Sequence, residues 1–382
     1  MLIIIKFLFF LTILLCLSTY VLYPLVILLI GKVFPFKPVL SDAKPFVSIL
    51  ISAYNEEKDI RQKLKNTLAL DYPKERMEII VGSDGSSDKT SLIVSEFFEY
   101  GVKLLDFKEN RGKTAVQNDL VSASQHDILV FTDAASFLKK DSLSNLVRSL
   151  SDPRIGAIAG TMVFIDQKQN LTTESQGLYW KYEMKLRELE SVIGRLVGVD
   201  GPLYAIKRDN FVFLGNQIIS DLMSPLMVLK QDKKVILEKK AIVYEAPTTQ
   251  STQELQTRRR ITLRGMIGLF SDPDLLSPFR CPLLSVQIFL HKLLRWAVGI
   301  LVLLNFLLCL TFSAHPFFGF FLVLHVIFYM AALTGWILEK NGKSMPLFKI
   351  PFYFCLVNIA ATLAIVDFFR KKQAVSWKPV RN

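Results

Sequence analysis

Three carboxylates in this chain stand where apolar runs stop. Glu56 lies in SAYNEE, just past FVSILIS (46–52); Asp84 opens the polar half of SDGSSDKT, past MEIIVGS (77–83); Asp133 closes DILVFTD (127–133) and is followed by Ala134, Ala135 and Ser136. A fourth run, VKLLDF (102–107), passes into DFKENRGKT and so to Lys113. An acidic crevice with a lysine at its edge suits a ligand carrying a diphosphate. Each residue also has a plainer reading: Asn55 as a helix cap, Asp88 as a cap or a ligand contact, Asp133 as a turn residue, Lys113 as a solvated helix start. The residues alone leave both readings open.

What must position these groups is legible from the texture around them. The four runs are short, rich in Val, Ile, Leu and Phe, and separated by stretches of helical period, which is a βαβ rhythm. Such a rhythm predicts an α/β domain with a mostly parallel sheet and helices on both faces. Ligands of open parallel sheets bind outside the carboxyl ends of the strands, where these acids fall. The DG of SDGSSD lies between a strand and a helix pattern, so a hairpin is not expected there.

The domain is bracketed by membrane-like sequence. Residues 2–30 carry Lys6 as their single charge, long enough to cross a bilayer and too long for the apolar core of a cleaved leader. Runs at 294–313, 316–338 and 351–369 follow the domain, and PLLSVQIFLHKLLRWAVG, with His291, Lys292, Arg295 and Trp296, reads as a helix lying in the interface. The organisation expected is an anchor over 1–31, a cytosolic domain over 45–270, an interfacial helix over 282–293, about three spans over 294–370 and a basic tail over 371–382. Lys32, Lys37 and Lys44 place 32–290 in the cytosol and the N-terminus outside. Four spans would also put the C-terminus outside, against the preference of Arg370, Lys371, Lys372, Lys378 and Arg381, so either a span is miscounted or the last segment is interfacial.

Several function classes are disfavoured. The net charge of +12 comes without any nucleic-acid module and is explained by clusters beside membrane segments, facing anionic lipid or an anionic substrate. RGKT has no glycine five residues before Gly112, so it is not a P-loop. His126, His291, His315 and His325 are scattered, with no serine and acid in order for a nucleophilic hydrolase, and the four cysteines have no metal or disulfide spacing. A transporter would need more polar groups inside its spans than Asn305, Asn358 and Asp367.

SAYNEE, SDGSSDKT, NRGKTAVQN and FTDAAS, in that order, resemble the nucleotide-sugar-binding half of family 2 glycosyltransferases, the inverting group with membrane-bound cellulose, chitin and hyaluronan synthases. GVDGPLYAIKRD (198–209), IISDLMSPLMVL (218–229) and QTRRRITLRG (256–265) resemble that family's acceptor-side segment, base-bearing helix and arginine-rich stretch. The resemblance covers roughly residues 45–270. It implies a GT-A-type fold and a membrane-embedded enzyme, in a bacterial plasma membrane, that moves sugar from a nucleoside-diphosphate donor, a UDP-sugar, to a polysaccharide or lipid-linked glycan. A polyprenyl-phosphate glycosyltransferase and a non-catalytic nucleotide-binding scaffold are the alternatives.

The resemblance also implies roles. Ala53 and Glu56 would line the nucleoside, Asp84 would accept from the uracil imide, and Asp133 would stand as the first acid of Asp-x-Asp, binding the ribose and Mg²⁺ or Mn²⁺. Asp221 would be the general base, with Lys113, Arg259 and Arg260, next to Arg258, on the diphosphate. Two positions depart from the pattern: Ala135 replaces the second acid, and Arg260 stands where polymer-making members carry tryptophan, which puts processive synthesis in doubt.

Overall fold

The computed structural model describes residues 2–165 and 171–372. The expected tail therefore lies, beyond Lys372, outside the described residues. The four runs are strands β1 (Val47–Ala53), β2 (Met77–Asp84), β3 (Val102–Phe107) and β4 (Ile128–Asp133). All seven residues of β1 are buried, as a strand covered on both faces requires, so its sequence, apolar but for Ser48 and Ser52, shows no apolar–polar alternation between faces. Ile49 and Ile51 pack on one face with Ile60 and Leu64, and Leu50 packs on the other with Val116 and Leu120.

Four further strands complete one sheet: β5 (Phe137–Leu138), β6 (Ile155–Phe164), β7 (Tyr204–Lys207) and β8 (Lys234–Glu245), in the order β3-β2-β1-β4-β7-β6-β8-β5. The first four are mutually parallel; β7 lies antiparallel between β4 and β6. This is the mostly parallel α/β sheet expected, with helices on both faces, and its fold is GT-A-like. The order β2-β1-β4 brings three carboxyl ends side by side: Ser52 is paired with Asp133 and Ala53 with Ser83.

Among the described residues four helices are long and apolar enough to cross a membrane, one before the sheet and three after: Leu2–Val33, Pro282–Thr311, Pro316–Lys340 and Pro346–Phe369. The separate interfacial helix expected over 282–293 does not exist as such. Its residues open one continuous helix through a π-turn at Phe289–Leu293, because nothing in FLHKLLRW breaks the backbone ladder. The final helix starts at Pro346, with Pro351 inside it.

Gly85, just past β2, has φ +68°, and a Cβ there would stand 2.6 Å from the backbone carbonyl carbon of Glu109. The left-handed backbone and the contact with rigid main chain both exclude a side chain, and the first alone costs about 1–2 kcal/mol. Gly85→Ala is expected to lower the Tm of the detergent-solubilised protein and to loosen residues 108–112; an unchanged Tm would show that this turn can be remade.

Candidate active site

Asp84 ends β2 and is 1% exposed. Its two carboxylate oxygens accept the backbone N–H groups of Arg111 and Gly112 at 2.8 and 2.9 Å. Burial pushes its carboxyl above the usual range, and these two amides oppose the shift. Both oxygens of the Asp84 carboxylate thus hold the loop before Lys113. Ala53 and Glu56 occupy the expected strand edge but are themselves buried, and the Glu56 amide donates to Thr90 Oγ1 at 2.8 Å. Asp88 accepts from the Thr90 amide at 2.9 Å and the Glu57 amide at 3.0 Å, tying the loop after β2 to the one after β1.

The loop held by Asp84 turns at Gly112, φ +91°, and starts the helix Lys113–Ala123. Lys113 Nζ thereby reaches Asp133 Oδ1 at 2.6 Å and Asp221 Oδ1 at 3.9 Å. Asp221 lies in the first turn of the helix Ser220–Lys230. Burial pushes the Asp221 carboxyl above the usual carboxylate range while the Lys113 ammonium pulls the other way. Burial would lower Lys113, but Asp133 and then Asp221 outweigh it and raise it. Two carboxylates from separate elements thus share one ammonium, and the structure brings Lys113, Asp133 and Asp221 together.

The arginine-rich stretch lies on the helix Ser251–Ser271 and divides by face. Arg259 donates to both oxygens of Asp367, at 2.5 and 2.7 Å, and Arg258 to Glu254 and to Tyr353 Oη at 2.8 and 3.2 Å. Arg259 is therefore not at the diphosphate; its guanidinium is consumed by a carboxylate on the last apolar helix. Arg260 does face the site. One turn on, Arg264 donates to Thr114 Oγ1 at 3.0 Å and to the carbonyls of Asn216 and Ile218 at 3.1 and 2.7 Å. It ties the Lys113 helix to the segment leading into Asp221.

A cavity of about 770 Å³ opens at Lys113, Asp133 and Asp221 and runs to Tyr20, Trp296 and Asn358 on the apolar helices. Ala53, Glu56 and Asp84 do not line it. Glu183, Arg187, Asp200, His291, Lys292 and Arg295 do, and sequence reasoning assigned none of them to the site: Asp200 lay unremarked inside a quoted motif, His291, Lys292 and Arg295 read as interfacial, and Glu183 and Arg187 belong to no motif. Two more residues were missed. Lys63 is fully buried under the Asp133 loop, donating to Thr132 Oγ1 and to the Ser136 carbonyl, both at 2.7 Å; burial drives its amine down to about 7, with Asp133 opposing. It lies in IRQKLKNTL, where a lysine reads as solvated. Gly201 was inside a quoted motif: a Cβ there would stand 2.6 Å from Lys113 Nζ and 2.8 Å from Asp221 Oδ2.

Residues 48–210 match the family model for glycosyl transferase family 2. The chain carries a family 2 glycosyltransferase domain. It is 34% identical over 189 residues to the probable glycosyltransferase YdaM of Bacillus subtilis, covering 45% of this chain and 42% of that protein. It is 27% identical over 168 residues to the beta-monoglucosyldiacylglycerol synthase of Trichormus variabilis, covering 43% and 36%. The chain thus spans less than half the length of these curated relatives. Among solved structures, the mannosyltransferase PcManGT of Pyrobaculum calidifontis, in complex with GDP-Man and Mn²⁺, superimposes with a TM-score of 0.69 at 21% identity, over 96% of this chain and 100% of that one. At that identity the likeness is one of fold. The family match ends before Asp221 and the arginine helix, so the site around them rests on geometry.

Among the described residues no group of three or more His, Cys, Asp or Glu could hold a metal ion. Asp133 is the single carboxylate at the expected position, with Ala135 in place of the second. A hard cation that keeps waters and takes its other oxygens from a diphosphate fits one carboxylate; a dedicated protein cage is not there. In the glycosyltransferase domain Gly201 leaves just the space the Lys113 and Asp221 side chains need. Gly201→Ala is expected to leave the fold intact, since the displaced atoms end flexible side chains, and to cut kcat by roughly 10- to 100-fold, as misplacement of reacting groups by about 1 Å does. Turnover within twofold of the parent would show that the two groups need not meet.

Proposed function

We propose that the protein is a membrane-embedded inverting glycosyltransferase that moves a sugar from a nucleoside-diphosphate donor, a UDP-sugar, to a lipid-linked or polysaccharide acceptor. One observation carries it: Lys113 holds Asp133 and Asp221 together at the carboxyl edge of the sheet, in the wall of a cavity that reaches the apolar helices. In this reading Asp221 takes the acceptor hydroxyl proton as the hydroxyl oxygen attacks the anomeric carbon. The bond from that carbon to the diphosphate breaks on the opposite side, so configuration inverts and nucleoside diphosphate leaves. Lys113 faces the negative charge that grows on the leaving group. A divalent cation held by Asp133 would supply further charge neutralisation there. The names of the relatives, one a glycolipid synthase and one a mannosyltransferase, support the transferase class.

The packing also supports a topology of three spans. The helix Pro346–Phe369 lies along the arginine helix of the catalytic domain, through Tyr353, Asp367 and the ring pair Phe270–Phe368. It meets the other apolar helices at residues 20, 299 and 328–335, in the halves that adjoin the domain. We place it in the inner interface, with Leu347, Ile350 and Phe369 exposed toward lipid. Arg370, Lys371 and Lys372 then lie in the cytosol with residues 32–290, as their charge prefers. A protease-cleavable tag after residue 382 is expected to be cut only from the cytosolic side; cutting from outside would restore a fourth span.

The activity is tested by turnover of UDP- and GDP-sugars by the detergent-purified protein, with Mg²⁺, Mn²⁺ or EDTA and released nucleoside diphosphate as readout. Metal-dependent release from one donor, lost in Asp221→Asn, is expected; binding without turnover in the presence of membrane lipid extract would favour a scaffold. Asp221 must be deprotonated to act and its carboxyl is raised by burial, so protonation switches it off early as pH falls. The acid limb of kcat/KM is accordingly expected above the pH of about 4 typical of a free carboxylate. A limb at or below that pH would remove Asp221 from the base role.

A further inference from the structure

The helix Ser220–Lys230 breaks a local rule. Pro225 is its sixth residue and is buried, and a proline has no N–H to give the carbonyl four residues back, which here is that of Asp221. A proline in a helix interior forgoes one backbone bond and is destabilising. The freed carbonyl accepts instead the backbone N–H of Val199, at 2.9 Å. Val199 lies outside any strand or helix and is 4% exposed, so without that acceptor its N–H would be a buried donor left unpaired.

Val199 opens a short segment, Val199–Pro202, whose other end is also fixed. The Pro202 carbonyl accepts from Thr132 Oγ1 at 2.7 Å, and Thr132 immediately precedes Asp133. A carbonyl can only accept and an ammonium can only donate, so the Thr132 hydroxyl donates to Pro202 and accepts from Lys63, the latter also at 2.7 Å. Between the two ends, Asp200 pairs with Arg187 at 2.5 Å, and Gly201 turns its bare Cα toward the Lys113 amine and the Asp221 carboxylate. The segment thus hangs from the main chain of one site acid and from the chain neighbour of the other.

We propose that Pro225 is a positioning residue: by leaving the Asp221 carbonyl to Val199, it lets the segment Val199–Pro202 span from Asp221 to Thr132 and set the separation of Asp221 and Asp133 about Lys113. In an unbroken helix the N–H of residue 225 would compete for that carbonyl. The first turn would then close on itself and release the segment, and with it the wall that Gly201 keeps open. The consequence for catalysis rests on the transferase reading above, in which the acids on the donor and acceptor sides must meet across one sugar. The hydrogen-bond arrangement does not rest on it.

The test compares the full-length parent with Pro225→Ala in detergent, by hydrogen exchange of the backbone amides and by release of nucleoside diphosphate from the donor that the parent turns over. In the variant the Val199 amide is expected to exchange roughly tenfold faster, as the loss of one hydrogen bond allows. Its Tm is expected not to fall, because alanine suits a helix interior better than proline. The kcat is expected to drop roughly 10- to 100-fold with the donor KM unchanged, a split that general loosening of the fold would not give. Val199 exchange as slow in the variant as in the parent overturns the proposal, and so does a parent-like kcat despite faster exchange. A rise in KM with kcat kept, or a fall in Tm alongside kcat, would mark a merely structural role and also overturns it. Should the variant not fold, the parent decides alone: Val199 is expected to exchange as slowly as the buried helix residues Leu226 and Val228, and exchange at the rate of an open loop overturns the proposal. If the parent turns over no donor, the transferase reading has failed and the catalytic role of Pro225 with it, whereas the exchange result still stands or falls by itself.

Discussion

The site depends on one constraint: Asp133 and Asp221, from separate elements, are held in a poorly solvated pocket and need a cation between them. Lys113 is that cation, at 2.6 Å from one and 3.9 Å from the other. Removing one member of such a group leaves an uncompensated charge, which costs more than the intact arrangement contributes. The neighbouring structure is organised to keep the three in place. Asp84 fixes the loop that launches Lys113, Arg264 fixes the segment that delivers Asp221, Lys63 braces the turn after Asp133, and Gly201 stays bare so that the side chains can meet.

The same helix that carries Arg264 joins the catalytic domain to the apolar helices. Its residues one turn apart, Arg260 and Arg264, share a face and look into the site, as an i,i+4 pair must. Arg259, about 100° round the helix, looks the other way and clamps Asp367. Position of the sheet and position of the outer helices are thereby linked through a single element. The buried groups around Glu183, Glu190 and His291 continue that link to the front helix, where Tyr23 donates to Glu190.

The strands and their order of appearance were legible because central parallel strands, buried on both faces, must be short, apolar and rich in β-branched residues, as β1 and β4 are, and the edge strand β3 still carries a short apolar run. That three acids stop those strands was legible for the same reason. What each acid does was not: Asp84 and Asp133 look alike in sequence, and only the return of residues 111 and 112 over β2 separates a loop anchor from a site carboxylate. The run Arg258–Arg260 gave composition without direction, and direction comes from the helix. Lys63 and Lys292 carried no signal, since a lysine between polar or interfacial neighbours reads as solvated until the tertiary structure covers it. The stretch 282–293 reads as a separate interfacial helix for a related reason: polar residues in an amphipathic sequence suit lipid headgroups, whereas in the fold they face Glu183 and Glu190.

In the transfer proposed above, the sugar changes hands between Asp133 and Asp221. The measurement that meets it most directly is a structure of Asp221→Asn with an unhydrolysed nucleoside-diphosphate sugar and Mn²⁺, the metal located by its anomalous scattering. The account predicts Mn²⁺ against Asp133, the diphosphate within reach of Lys113, and the anomeric carbon facing residue 221 across the cavity. Metal and diphosphate bound away from Asp133, or a sugar turned away from residue 221, would contradict it.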